Sequence, residues 1–299
     1  MQEGTQVIAP PQIRRRSFRK SAKSLWRFMR TKPLGGVGVV IIVATLFVAL
    51  FADVLAPYDP LRINARDRLQ APSAQHFFGT DVTGKDVYSR VILGTRISLL
   101  VGVVAMLLSS AIGAFTGITS AFFGKTYDLI TQRIVDALIA FPSLLLAMAL
   151  IAGFGSSLWV VIWALVITSA PRASRVIRSA ALSIKEMPYV EASRAIGAPG
   201  PRIMLQHILP NTFAPLIIIS SASVGTLIVA EASLSFLGVG TPAHLVSWGS
   251  MLSGDTQAYF ASAPWIGIFP GAALSLVVFG MSVLGDSLRD VLDPRLRGR

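Results

Sequence analysis

The sequence predicts an all-α, polytopic membrane protein, and three observations carry that prediction. The 299-residue chain is 53% hydrophobic and only 14% charged, whereas about a quarter of the residues in a soluble domain are charged. Its apolar residues gather into long uncharged runs, and a run of roughly 20 residues suffices for a helix to cross a hydrocarbon core about 30 Å thick. The basic residues stand at the ends of those runs rather than inside them.

Residues 1–33 form a basic tail, with nine of the 27 Lys and Arg lying between Arg14 and Lys32. A first transmembrane helix over 34–55 follows, without an ionisable side chain from Leu34 to Ala52. The positive-inside rule keeps its basic flank in the cytoplasm. A cleaved signal peptide is the competing reading, but the run starts too late and is too long for an h-region. Residues 56–96, rich in Asp, Gly, Pro and Ser with little helical periodicity before Val87, read as an ordered extracytoplasmic loop or lid.

Residues 97–285 form the core, with further helices at about 97–123, 134–152, 157–171, 212–234 and 264–285. In the first of these, Ser109, Gly113, Gly117 and Ala121 recur every four residues, a small-residue stripe suited to close helix packing in lipid. The 34 uncharged residues from Ala137 to Ala170 are too many for one span. The run breaks at Gly153-Phe154-Gly155-Ser156-Ser157, which reads as a tight turn between two helices. An outer loop over 239–263 carries Trp248, and Trp265 follows it; both read as interfacial anchors. Residues 286–299 form a second tail. Six spans with both termini cytoplasmic place 21 of the 27 basic residues inside, and the other six lie between Asp53 and Arg96 beside five aspartates. A re-entrant element over Ile97 to Gly124 is the runner-up topology.

Several function classes fall away. A net charge of +12 with pI about 10.8 invites a nucleic-acid reading, but that needs basic residues on one folded face with base-contacting groups. Here they flank apolar spans, where Lys and Arg snorkel to anionic headgroups. Cysteine is absent, which excludes disulfides and thiolate metal sites. His76, His207 and His244 show no ligand spacing. Gly124-Lys125-Thr126 resembles the end of a phosphate-binding loop, yet Thr119 stands where that motif needs glycine. With no paired carboxylates or nucleophile set, the chain is expected to be non-catalytic, with no cofactor and no metal of its own.

A solute carrier then needs energy from an ion gradient or from a partner. Gradient-coupled carriers place ionisable groups in their helices. Only Asp136 and Glu231 approach that description, and they are candidates for a gate or a subunit contact. Glu231 near the outer end of its helix also fits a plain headgroup-boundary position.

The polar stretch over 172–211 offers the other energy source. Pro188 suits the first turn of a helix, and Tyr189, Ala192 and Ile196 make a short apolar stripe that Gly197 stops. Gly200-Pro201 opens a second short helix, read as closed by Pro210. Two brief helices meeting at a glycine corner make a knob able to fit a groove on a soluble protein. An interfacial helix lying on lipid is the alternative.

Glu191-Ala192-Ser193, then Gly197, then Leu209-Pro210 resemble the EAA loop of ABC importer permeases, E-A-A-x3-G-x9-I-x-L-P. Ser193 and His207 depart from it, at the second alanine and at the isoleucine. HFFGTDVTGKDVYSR, RISLLVG, RIVDALIAFPSLLLA, EASLSFLGVG and GDSLRDVLDPRLR are similar to the dipeptide, oligopeptide and nickel importers' permease subunit that has an extended first span and outer segment. The resemblance covers nearly everything after about residue 30. It implies a type I importer permease fold in a bacterial inner membrane. It also implies pairing with a homologous second permease, docking of two ATPase subunits that hold ATP and Mg, and delivery by an extracytoplasmic binding protein. Glu191, Ala192, Gly197, Leu209 and Pro210 would form the coupling helix, with Ser193 at a substituted place. Peptide is the expected substrate, with nickel, glutathione, haem or sugars as alternatives. The rival classes are a secondary carrier driven through Glu231 and a membrane scaffold.

Overall fold

The computed structural model describes residues 32–242 and 244–292. The basic tail up to residue 31 and the last residues of the carboxyl-terminal tail lie outside them. Among the described residues every regular element is helical. Helix α1 covers Pro33–Leu50, and the short α2 covers Ala52–Leu55. A long α3 spans Val87–Phe123, followed by α4 (Lys125–Ala140), α5 (Ser143–Phe154) and α6 (Leu158–Lys185). Next come α7 (Pro188–Ala195), α8 (Gly200–Ile203), a π-helical turn over Met204–Ile208 and α9 (Leu209–Phe236). Two short helices, α10 (Trp248–Met251) and α11 (Asp255–Tyr259), precede α12 (Trp265–Leu292). Five helical segments are long and apolar enough to cross a membrane, and α4 with α5 makes a sixth crossing if the bent pair counts as one.

The centre of the bundle is the pairing of α3 with α6, its most extensive helix contact. The stripe of small residues accounts for it. Ser109, Gly113, Gly117 and Ala121 are all buried. A Cβ on Gly113 would stand 2.5 Å from that of Ala173, and one on Gly117 would stand 2.6 Å from the Ser174 carbonyl oxygen. The two backbones approach as closely as they do because no side chain separates them. Helix α9 packs against α3 and α12, and α1 lies on α12.

The structure corrects several boundaries. The helix read over 134–152 breaks at Phe141-Pro142, where α4 and α5 meet at 93°. Proline forces its predecessor out of the helical region, and Phe141 is extended at φ −80°, ψ 137°. The helix read over 157–171 continues to Lys185, because Arg175 and Arg178 find aspartate partners on α4 instead of ending the helix. Pro210 does not close the second short helix. It sits in the first turn of α9, where its missing N–H costs nothing, and the helical path runs unbroken from Gly200 to Phe236.

The segment before α3 is ordered, with a single 3-10 turn at Ala65–Asp67. Asp86 caps α3 by accepting from the Ser89 N–H at 2.8 Å, and His76 Nδ1 lies 2.8 Å from the other oxygen of Asp86. Trp265 is half-buried and donates to the Thr80 carbonyl at 3.1 Å, while Phe78 stacks on Phe269 at 3.9 Å. These contacts make the segment a cap on α3 and α12. Trp248 is likewise no interfacial anchor. It is 1% exposed, and its indole N–H donates to the Val91 carbonyl at 3.0 Å.

Candidate functional site

The knob between α6 and α9 is built from a buried side and an exposed side. Val190, Ile203 and Ile208 are fully buried and pack with Ile118, Ala121, Ile177 and Ala181 at the ends of α3 and α6. Burying three such residues contributes roughly 1.5–3 kcal/mol each, which is enough to seat two short helices that would not persist alone. Gly200 lies against the Phe122 ring, and the Arg194 guanidinium sits 5.6 Å above the same ring.

The opposite side faces outward. Tyr189 and Ile196 are 42% and 85% exposed, and Glu191, Ala192 and Gly197 are exposed with them. The apolar stripe read from the spacing is therefore the outer face of the knob, while Val190 between its members does the anchoring. An Ile that exposed is an unused apolar contact. The corner takes its shape from Gly197 at φ +80°, a conformation only glycine adopts without strain. Beyond it the Ala198 N–H returns to the Ser193 carbonyl at 3.0 Å and closes α7.

The two departures from the EAA pattern meet in space. Ser193 Oγ and His207 Nε2 are 3.0 Å apart, so one hydrogen bond ties α7 to the π-helical turn. The Tyr189 ring lies 6.0 Å from the imidazole, and Asn211 donates to the His207 carbonyl at 2.7 Å. Sequence spacing could not show this pair, since fourteen residues and a corner separate its members. Leu209 is half-buried and Pro210 exposed at the start of α9.

Asp136 and Glu231 lie elsewhere. Asp136 pairs with Arg175 between α4 and α6, both about half-exposed, and Asp128 accepts from Arg178 through both oxygens. Glu231 is fully buried, which overturns the headgroup-boundary reading. Its Oε1 accepts from Ser235 at 2.8 Å, Ser247 at 2.9 Å and Thr241 at 3.4 Å. Its Oε2 has no partner among the described residues. The carboxylate thus gathers the end of α9 and the start of α10 around one oxygen.

Fold and site together define a helical membrane subunit with an exposed knob between α6 and α9. Residues 109–298 match the family described as binding-protein-dependent transport system inner membrane component, and residues 21–72 match the N-terminal TM domain of oligopeptide transport permease C. The chain belongs to the former family and is a permease of an ABC importer.

Its relatives agree. It is 39% identical over 281 residues to the dipeptide transport system permease protein DppC of Alkalihalophilus pseudofirmus, covering 93% of this chain and 92% of that one. It is 40% identical over 271 residues to a putative peptide transport system permease protein of Brucella suis biovar 1, with 91% and 90% covered. It is 38% identical over 291 residues to the glutathione transport system permease protein GsiD of Escherichia coli, with 97% and 96% covered. Inward-facing structures of the MetNI methionine ABC transporter align with a TM-score of 0.54 at 20% identity, covering 68% of this chain and 96% of theirs. That likeness shows the type I importer permease fold.

Proposed function

We propose that this chain is the translocation subunit of a peptide importer and takes its energy from ATP hydrolysed by partner subunits. The carrying observation is the knob, seated by Val190, Ile203 and Ile208 and offering Tyr189, Ala192 and Ile196 outward. An ATPase groove that receives this face moves the knob, and the knob moves α9. In this reading the chain crosses a bacterial inner membrane six times with both termini in the cytoplasm. It pairs with a homologous permease and receives substrate from an extracytoplasmic binding protein. It does no covalent chemistry, and ATP with Mg belongs to two ATPase subunits. Glu191, Ala192, Ser193, Gly197, Leu209 and Pro210 form the coupling element. Glu231 holds the outer loop closed over the end of α9, and Asp136 braces α4 on α6.

The likeness to the glutathione permease supports a second substrate reading within the same machinery, a modified tripeptide. Reconstitution of the assembled complex with candidate binding proteins tests both. Stimulation of ATP hydrolysis by a peptide-loaded binding protein is expected, and stimulation only by a binding protein loaded with metal or sugar would refute the peptide reading. Single introduced cysteines test the topology on a background that has none. Labelling near Gly197 only from outside would refute it.

A further inference from the structure

Three arginines climb α6 at intervals of three, Arg178, Arg175 and Arg172, and the polar stripe of α4 meets only two of them. On α4 the stripe is Asp128, Gln132 and Asp136, one residue every four. Asp128 takes Arg178, Asp136 takes Arg175, and Gln132 donates to Ser120 at 3.0 Å. The next stripe position is Ala140, followed by the break at Phe141-Pro142. Arg172 accordingly has no ion pair or hydrogen bond among the described residues. It stands fourteen residues into α6, about 21 Å along the axis from Leu158, and its side chain is exposed. A cation left without an acidic partner beside apolar spans faces a polar path rather than lipid.

Arg172 lines two adjoining cavities of about 180 and 430 Å³, and Ser143, Leu144 and Thr168 line both with it. The smaller cavity carries five further hydroxyls, Ser109 and Ser110 on α3, Ser169 on α6, and Ser223 and Thr226 on α9. Ser223 and Thr226 donate to backbone carbonyls of their own helix at 2.6 and 2.8 Å. Their oxygens keep lone pairs for an incoming N–H. Ser143 makes no side-chain hydrogen bond among the described residues and opens α5, whose first turn has no side-chain cap. The wall therefore combines a fixed cation with oxygen acceptors.

We propose that Arg172 is a specificity-determining residue on the translocation path and binds the carboxylate of the peptide while the surrounding hydroxyls receive its N–H groups. This rests on the peptide reading above. A guanidinium forks onto a carboxylate with two parallel bonds, and no aspartate or glutamate lines either cavity to compete for it. The break after Ala140 removes the place where α4 would have supplied such an acid and opens the space in which a ligand supplies it instead.

The test uses the complete importer in proteoliposomes with two dipeptides, one with a free carboxyl terminus and one amidated, chosen so that the binding protein holds them equally. The wild type is expected to import the free acid about tenfold faster than the amide, the loss of one charge-assisted bond. Arg172→Gln should lower uptake of the free acid about tenfold and leave the amide unchanged, and Arg172→Lys should recover most of the loss. Equal wild-type uptake of the two peptides overturns the subsite whatever the variants do, and so does an equal loss for both in Arg172→Gln. If the wild type imports neither dipeptide, the peptide reading falls and the ligand assigned to Arg172 falls with it.

Discussion

Replacing Ser193 by Ala, His207 by Ile, and both together separates the hydrogen bond in the knob from the residues that make it. The bond is 3.0 Å long between two half-buried groups, so its net contribution is about 0.5–1.5 kcal/mol. Neither group is sealed from water, which keeps the orphan penalty in each single variant near the lower end. Ser193→Ala frees the imidazole to swing from the Tyr189 ring 6.0 Å away. In His207→Ile the serine hydroxyl turns to the carbonyl one helical turn back. Each single variant is expected to lower substrate moved per ATP hydrolysed about twofold to tenfold, the same free energy expressed as a ratio. The double variant restores two apolar positions side by side and should fall by less than the product of the singles. The assay is paired uptake and ATP hydrolysis in the reconstituted complex, read as a double-mutant cycle. Multiplicative losses, or silent single variants, would show that the bond does not stiffen the knob.

Gly197→Val should reduce coupling more than Gly197→Asn, because the corner at φ +80° has no atom within 4 Å of a new Cβ and only backbone strain of about 1–2 kcal/mol separates the two. Equal full coupling in both would show that the corner is not a coupling element. Gly117→Ala should cost about 1–3 kcal/mol and lower the unfolding temperature in detergent, since the neighbouring atoms are α6 backbone at 2.6 and 2.9 Å. An unchanged melting temperature would show that α3 and α6 part easily. Glu231→Ala strips the acceptor from Ser235, Thr241 and Ser247, so hydrogen exchange around Ser247 should rise, while Glu231→Gln keeps one oxygen and should raise it less. Matching exchange in all three proteins would remove Glu231 from the closure of the outer loop.

The sequence displayed features that depend on local chemistry and hid those that depend on a partner. The small-residue stripe of α3 and the glycine corner at 197 were legible, because packing at period four and positive φ each leave a residue-type signature. The end of α6 was not. A lipid-span reading stops at Arg172, whereas the helix continues because Asp128 and Asp136 compensate Arg178 and Arg175. Pro142 carries a local signal for the 93° bend, with which the glycines after Ala152 compete as a break. Trp248 looked like an anchor because indole prefers interfaces, but Ser98 and Val91 satisfy its backbone and ring N–H groups in the interior. Glu231 was legible as unusual and illegible in detail, since its three hydroxyl partners lie four, ten and sixteen residues away.

The helical path from Gly200 to Phe236 joins these sites physically. Its 37 residues make a rod about 55 Å long. One end carries His207, bonded to the knob, and the other carries Glu231 and Ser235, bonded to the outer loop. Ser223 and Thr226 line the cavity between them. Sliding of the rod past α3 is opposed by Ile228, fully buried against Gly102 with no room for a Cβ between them, and by the Ser110–Ser220 hydroxyl pair at 2.7 Å. A force on the knob therefore tilts α9 or yields at its weak points, the π-helical turn at Met204–Ile208 and Pro215 inside the helix. Those points lie on the knob side of the cavity. The half of α9 that holds the hydroxyls and Glu231 is a continuous helix, so under the proposed coupling a force on the knob is expected to reach the cavity and the loop held by Glu231 together.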